Sequence, residues 1–188
     1  MSLIYNGTTI KAINYNGTAV KKVIFNGTTV WTASTPYYAI TNGSRTNCPN
    51  ASAGRNGDDW WGEETGTITC DGVTFYGAKC HTSNGSVSCY ANTGNMDTQG
   101  CKYVNAQFYT NIWGEGSGVN SYIKVYGNGS QIYSTTSNTS TTVKPTIKVD
   151  VSSYSTARIY IESQSLSTGD WGGWDLNVGF INVYFTDS

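Results

Sequence analysis

The stretch SYIKVYGNGSQIY, residues 121–133, decides the fold class. Ile123 and Val125 alternate with Tyr122, Lys124 and Tyr126, a period of two that belongs to a strand with one buried face. Gly127, Asn128 and Gly129 then supply a tight hairpin turn, and Ile132 resumes the apolar side beyond it. Working outward, the same alternation returns in residues 66–70 (GTITC), 73–76 (VTFY), 86–90 (SVSCY), 103–109 (YVNAQFY), 146–151 (TIKVDV), 157–162 (ARIYIE) and 178–185 (VGFINVYF). Turn residues separate these runs at the spacing of an antiparallel β-sandwich. No segment repeats apolar residues at the i, i+3, i+4, i+7 spacing of a helix, and Leu3, Leu166 and Leu176 are the only leucines. The expectation is an all-β chain.

Bulk properties narrow the function. Charged residues make up 12% of the 188 positions, about half of the roughly 25% common in soluble domains. The formal net charge of −1 offers no field for nucleic acid or an anionic membrane. Residues 1–57 carry Lys11, Lys21, Lys22, Arg45 and Arg55 and no acid, whereas every Asp and Glu lies in residues 58–188. Such a switch marks a boundary. No apolar run approaches the ~20 residues of a membrane span, and the start lacks the regions of a signal peptide. Five cysteines (Cys48, Cys70, Cys80, Cys89, Cys101) leave at least one without a partner inside the monomer. They read either as one or two disulfides of an extracellular particle or as buried thiols.

Residues 3–32 hold one ten-residue unit three times: LIYNGTTIKA, INYNGTAVKK and VIFNGTTVWT. Each places an aromatic (Tyr5, Tyr15, Phe25) before Asn-Gly, the preferred pair for a type I′ turn. A two-residue turn at Asn16-Gly17 sets Tyr15 opposite Thr18, Ile13 opposite Val20 and Ile10 opposite Val23; the same rule at Asn26-Gly27 sets Val23 opposite Val30. A β-meander follows. Because Ile10 and Ile13 differ by an odd step, both faces carry apolar residues, which predicts packing against the main domain or against other copies of the chain. The Asn-Gly-Thr triplets also match N-glycosylation acceptors, but turn chemistry explains them more simply. With Val20-Lys21-Lys22-Val23 and Val30-Trp31 the segment resembles the short repeats of tail and tail-fibre proteins of phages that infect Gram-positive bacteria. That resemblance implies a virion or extracellular-particle location.

The order of Gly77 to His81, a long strand at Tyr103–Tyr109, Ile123–Gly129 (IKVYGNG), Ile147–Val151 (IKVDV), Ala157–Ile161 (ARIYI) and a Trp-containing turn before the last strand resembles the NPCBM-type, galactose-binding-like jelly roll. The likeness spans about 120 residues and implies a carbohydrate-binding β-sandwich. It departs from the family at residues 169–175 (GDWGGWD), which stand where the family has an extended acidic turn.

Three clusters carry chemistry. Residues 58–64 (DDWWGEE) crowd four carboxylates and two indoles. Galactose-binding-like sandwiches resembling this one often hold a structural Ca2+, which would take Asp58, Asp59 and Glu63 as oxygen ligands; a solvated acidic loop is the simpler alternative. A hydrolytic pair would need two carboxyls held across a sugar, about 5–10 Å apart. Residues 170–175 (DWGGWD) suit sugar recognition: Trp171 and Trp174, with Trp60 and Trp61, offer ring faces, and Asp170 and Asp175 accept hydroxyl donors. The alternative is that Trp171 or Trp174 plugs the open end of the sandwich. His81, the only histidine, adjoins Cys80, and neighbours on a strand point to opposite faces, so the two form no catalytic pair. No Gly-x-Ser-x-Gly, phosphate-binding loop or His-Glu-x-x-His motif occurs.

The sequence therefore predicts three parts: residues 1–33 as an attachment and homo-oligomerisation repeat, residues 34–57 as a linker and leading loop, and residues 58–188 as a β-sandwich recognition domain. The expected role is a non-enzymatic, tail-associated receptor-binding module that meets cell-surface glycan and other virion subunits, without nucleic acid or membrane. Two rivals stand beside it: a purely structural virion decoration protein, and a bacterial carbohydrate-binding module detached from an enzyme.

Overall fold

The computed structural model describes residues 4–5, 8–9, 13–15, 18–20, 22–26, 28–32, 36–56, 63–82, 88–113, 119–139, 145–165 and 174–187. Every element in them is a strand. The repeat forms three separate two-stranded antiparallel hairpins: β1 (Ile4–Tyr5) with β2 (Thr8–Thr9), β3 (Ile13–Tyr15) with β4 (Thr18–Val20), and β5 (Lys22–Phe25) with β6 (Thr28–Thr32). Tyr5 pairs with Thr8, Tyr15 with Thr18 and Phe25 with Thr28, and Asn26 has the positive φ of 49° that a type I′ turn demands. Ile13 faces Val20 and Tyr15 faces Thr18 as the two-residue turn requires. The third hairpin departs from expectation: its register shifts after Val23, which lies opposite Trp31 instead of Val30. Pairing through Ile10 and of Lys11 with Lys22 lies outside the described residues.

The remaining strands build two antiparallel sheets. Their ranges are β7 (Tyr37–Thr41), β8 (Ser44–Arg45), β9 (Ser52–Asn56), β10 (Glu63–Cys70), β11 (Val73–Thr82), β12 (Ser88–Asn92), β13 (Met96–Asp97), β14 (Tyr103–Trp113), β15 (Val119–Gly127), β16 (Ser130–Thr139), β17 (Thr146–Asp150), β18 (Thr156–Ser165) and β19 (Trp174–Thr186). One sheet has seven strands in the order β10-β11-β19-β14-β17, with β7 beside the end of β19 and β8 on β7. The other has six, in the order β16-β15-β18-β12-β9, with β13 against β18. Residues 37–56, read from their Asn, Ser and Gly content as linker and loop, contribute β7, β8 and β9 to this sandwich. Turn residues there close hairpins: Asn42 and Gly43 take φ of 45° and 72° between β7 and β8.

The strict alternation of β15 and β18 puts Ile123, Val125, Ile159 and Ile161 on one inner face. Val104, Phe108, Val178, Phe180 and Phe185 meet them from the seven-stranded sheet in one continuous core. Each such side chain contributes about 1.5–3 kcal/mol by leaving water. A disulfide between Cys80 on β11 and Cys89 on β12 ties the two sheets together. Cys48 and Cys101 are buried outside the disulfide, and burial pushes the Cys48 thiol up to about 11.

A second, smaller apolar cluster of Ile68, Phe75, Tyr109 and Ile181 lies on the other face of the seven-stranded sheet. Phe75 stacks on Tyr109 with ring centroids 4.8 Å apart. The stack passes over Gly179, where an added Cβ would stand 2.4 Å from both Phe75 Cδ2 and the Tyr76 carbonyl oxygen. Tyr109 and Asn111 both donate to Asp71 Oδ2, at 3.1 and 2.9 Å. In the ladder Tyr109 is level with Gly77, six residues from Asp71 and about 20 Å along an extended strand. The contact exists because the tip of the β10–β11 hairpin curls over the sheet.

Gly179→Ala is expected to force Phe75 off Tyr109 and to cost about 3 kcal/mol, measured by urea denaturation with unchanged m-value. A loss under about 0.5 kcal/mol would show that the glycine is not what admits the stack.

Candidate functional site

Where β14 and β19 run side by side, the register shifts between Gln107 and Phe108, which face Asn182 and Phe180 respectively. Ile181 is the extra residue, and this bulge turns both Ile181 and Asn182 to the outer face. Ile181 enters the small apolar cluster, while Asn182 joins a polar groove. Two transverse rows make the groove floor: Lys148, Asn105, Tyr184 and Tyr38 on β17, β14, β19 and β7, then Thr146, Gln107 and Asn182 on the first three. The floor is about 14 Å across, three inter-strand spacings.

The carboxamides are aimed by one another. The backbone N–H of Asn42 donates to Asn182 Oδ1 at 3.0 Å, which fixes the orientation of that amide. Asn182 Nδ2 then donates to Gln107 Oε1 at 3.1 Å, so the Gln107 amide nitrogen is the end left over. Asn105 donates to Thr186 Oγ1 at 3.1 Å and keeps its carbonyl oxygen. Tyr38 and Tyr184 lean together with centroids 5.3 Å apart, and Tyr38 is 40% exposed. The groove encloses about 970 Å³, and no Asp or Glu lines it among the described residues. A second hollow of about 450 Å³ shares Asn42, Gln107 and Asn182 and runs on to Gly72–Thr74 at the curled tip. Paired donors and acceptors beside aromatic rings suit a hydroxyl-rich framework.

Of the ligand residues predicted from sequence, Asp175 is placed fully. It begins β19 opposite His81, and its Oδ1 lies 2.9 Å from His81 Nδ1 while its Oδ2 lies 2.9 Å from Lys79 Nζ. Burial pulls the Asp175 pKa up, but the hydrogen bonds from Lys79 and His81 and their charges outweigh it and hold it below the ordinary value. Both oxygens are thus engaged within the protein. Trp174 pairs through its backbone with Thr82; its side chain, and Asp58, Asp59, Trp60, Trp61, Asp170 and Trp171 entirely, lie outside the described residues. Glu63 pairs with Arg55 at 3.8 Å. Among the described residues no group of three or more His, Cys, Asp and Glu could hold a metal. Cys80 is buried in its disulfide, and His81 points to the opposite face.

The outer face of the six-stranded sheet carries another polar assembly. Asn56 and Ser88 donate to Glu162 Oε1 at 3.1 and 2.5 Å, and Tyr160 donates to Oε2 at 3.0 Å. Burial raises the Glu162 pKa, yet these three bonds and Lys124 bring it below the usual range. The carboxylate is occupied and serves to knit β9, β12 and β18. Sequence reasoning missed the groove residues. A signal existed, since Asn105, Gln107, Asn182 and Tyr184 occupy the outward beats of alternating strands, but nothing local shows that those strands are neighbours.

No family model matches the chain, and no curated protein matches it. Among solved structures, TmCBM61 in complex with β-1,4-galactotriose is similar over 74% of this chain and 90% of that one, at 14% identity and a TM-score of 0.49. The enzymatically active domain of bacteriophage CBA120 tailspike protein 4 is similar over 77% of this chain and 21% of its own length, at 15% identity and a TM-score of 0.47. The M60 catalytic domain with the CBM51-1 and CBM51-2 domains of Clostridium perfringens ZmpB matches over 76% and 15%, at 15% identity and a TM-score of 0.36. This chain therefore spans about a fifth or less of the last two. None of these likenesses carries a ligand or an activity over to it.

The Asp175 ion pairs give a signed pH dependence. A carboxyl whose folded pKa is depressed stabilises the fold above its unfolded pKa, and loses that contribution as pH falls through the folded value. Asp175→Asn is expected to cost about 1–2 kcal/mol at pH 7, with the gap from wild type closing as pH drops through and below the carboxylate range. A gap independent of pH in parallel denaturation curves would assign the loss to packing instead.

Proposed function

We propose that this chain is a non-catalytic recognition module that binds cell-surface carbohydrate in the groove of the seven-stranded sheet. The observation that carries this reading is the run Asn42–Asn182–Gln107, which leaves amide groups pre-aimed beside Tyr38 and Tyr184 in a hollow with no carboxylate among its described lining residues. A sugar ring offers vicinal hydroxyls to such amides and a C–H face to the tyrosines. Pre-aimed groups lose little entropy on binding. The groove sits on sheet strands, so its geometry does not wait on a loop.

The test is a glycan-array screen of the full chain alongside a Gln107→Ala/Asn182→Ala double variant, with folding checked by thermal melt. Loss of about tenfold or more in affinity by the folded variant is expected, in line with two hydrogen bonds near 1 kcal/mol each. Unchanged binding would move the site elsewhere, and silence of both proteins would favour a structural decoration role. A carbohydrate-binding module detached from a bacterial enzyme would use the same groove, and its genomic neighbours would separate the two settings.

The proposed setting is a phage-type virion or tail, with the repeat as attachment and oligomerisation element. Its support is that each hairpin is a sheet of only two strands, and the third leaves Ile24 and Phe25 exposed at 57% and 67%. A lone two-stranded hairpin is marginal in water and gains from a partner surface. Light scattering should find the full chain oligomeric and the chain lacking residues 1–33 monomeric, folded and still able to bind glycan. A monomeric full chain, or an unfolded remainder, would overturn this role.

A further inference from the structure

Among the described residues the groove has one charged side chain, and an aromatic ring positions it. Lys148 extends from β17, and its Nζ stands 4.3 Å from the centroid of the Tyr103 ring. An ammonium on a π face is held in place by the ring quadrupole, so this cation is pre-positioned beside the carboxamide floor. It is in no salt bridge among the described residues; Asp150, which shares its face of β17, accepts from the Ser152 N–H and hydroxyl instead. The ion pairs among the described residues are Arg55 with Glu63 and Lys79 and His81 with Asp175, none of which includes Lys148. Lys102, 5.0 Å from the same ring, differs, because Asp150 lies near enough to feel it. The Asp150 carboxyl is held below its ordinary value first by hydrogen bonds from Ser152 and then by the charge of Lys102.

The contrast with the rest of the domain is informative. Residues 58–188 contain all 12 acids against six bases, yet none of the described acids lines the groove. A hollow whose described lining holds no carboxylate and one ammonium outside any salt bridge is complementary to an anion. We infer that the groove selects an anionic glycan, a carbohydrate chain bearing a carboxylate or a phosphodiester, with the anionic group on Lys148 Nζ and the sugar framework running toward Tyr184 and Tyr38. This rests on the carbohydrate reading of the groove. Lys148, Asn105, Tyr184 and Tyr38 share one transverse row, so the backbones of Lys148 and Tyr184 are two strand spacings apart, about 10 Å. A ligand must therefore carry its charge at one end of the stretch that contacts the tyrosines.

The experiment measures binding of the full chain to an oligogalacturonate, to the same oligomer with its carboxyls reduced to alcohols, and to a poly(glycerol phosphate), beside an array of acidic and neutral glycans. Lys148→Gln and Tyr184→Ala variants run in parallel. The expected result is binding to at least one acidic glycan that falls about tenfold on Lys148→Gln and weakens as salt rises, with the neutral counterpart about tenfold weaker for wild type. The carboxylate and phosphodiester arms decide which anion is preferred. Equal binding of charged and neutral forms, lost on Tyr184→Ala but untouched by Lys148→Gln, would overturn the anion inference and leave the carbohydrate reading standing. Absence of binding to every glycan, acidic or neutral, would overturn both.

Discussion

The strand Trp174–Thr186 is hydrogen-bonded along both edges, and the rest of the molecule is arranged around that obligation. A central strand cannot leave its N–H and C=O groups unpaired away from water. β14 satisfies one edge over its full length, but the other is shared, with β11 covering the first half and β7 the last residues. At the handover the backbone N–H of Gly43 donates to Ile181 O at 2.9 Å, filling the gap in the ladder. β11 has to leave the sheet there. Its tip, with β10, folds across the outer face and is held by Phe75 over Gly179 and by Asp71 on Tyr109 and Asn111.

The bulge at Ile181 follows from the same crowding and produces the groove. Without an extra residue, strict alternation would send only one of Ile181 and Asn182 to the outer face. With it, the apolar residue feeds the small cluster and the polar one meets Gln107. The two outer faces of the sandwich therefore differ in kind. On the six-stranded sheet, Glu162 takes donors from Asn56, Ser88 and Tyr160 and is consumed in holding strands together. On the seven-stranded sheet, each amide bond formed inside the chain leaves a group aimed outward. Satisfied polar groups stabilise a fold, and oriented unsatisfied ones at a surface are what a ligand can use.

Asp175 shows the distinction at the scale of one residue. Its acidity and its neighbouring tryptophans make it a plausible sugar contact on paper. In three dimensions β11 brings Lys79 and His81 against it, and both oxygens are taken. Lys148, unremarkable in sequence, is the reverse: the strand order places it over Tyr103, and no salt bridge among the described residues includes it.

The sequence by itself determined the all-β class, the pairing of Tyr15 with Thr18, the hairpin turn at Asn128-Gly129, and the inner face of the strands at Val119–Gly127 and Thr156–Ser165. Those are local matters, set by a period of two and by residues that tolerate positive φ. It also held the outward beat of Asn105, Gln107, Asn182 and Tyr184, without showing that they meet. Residues 37–56 looked like a linker because Asn, Ser and Gly mark turns, while their pairing depends on partners over 30 residues away, such as Ser88–Asn92 for β9 and Val183–Phe185 for β7. Strand order, the bulge at Ile181, the curled β10–β11 tip and the choice of which polar groups stay free were decided only by the tertiary structure. Each arises from hydrogen bonding between segments far apart in the chain, and no local pattern of residues encodes which of them will share an edge.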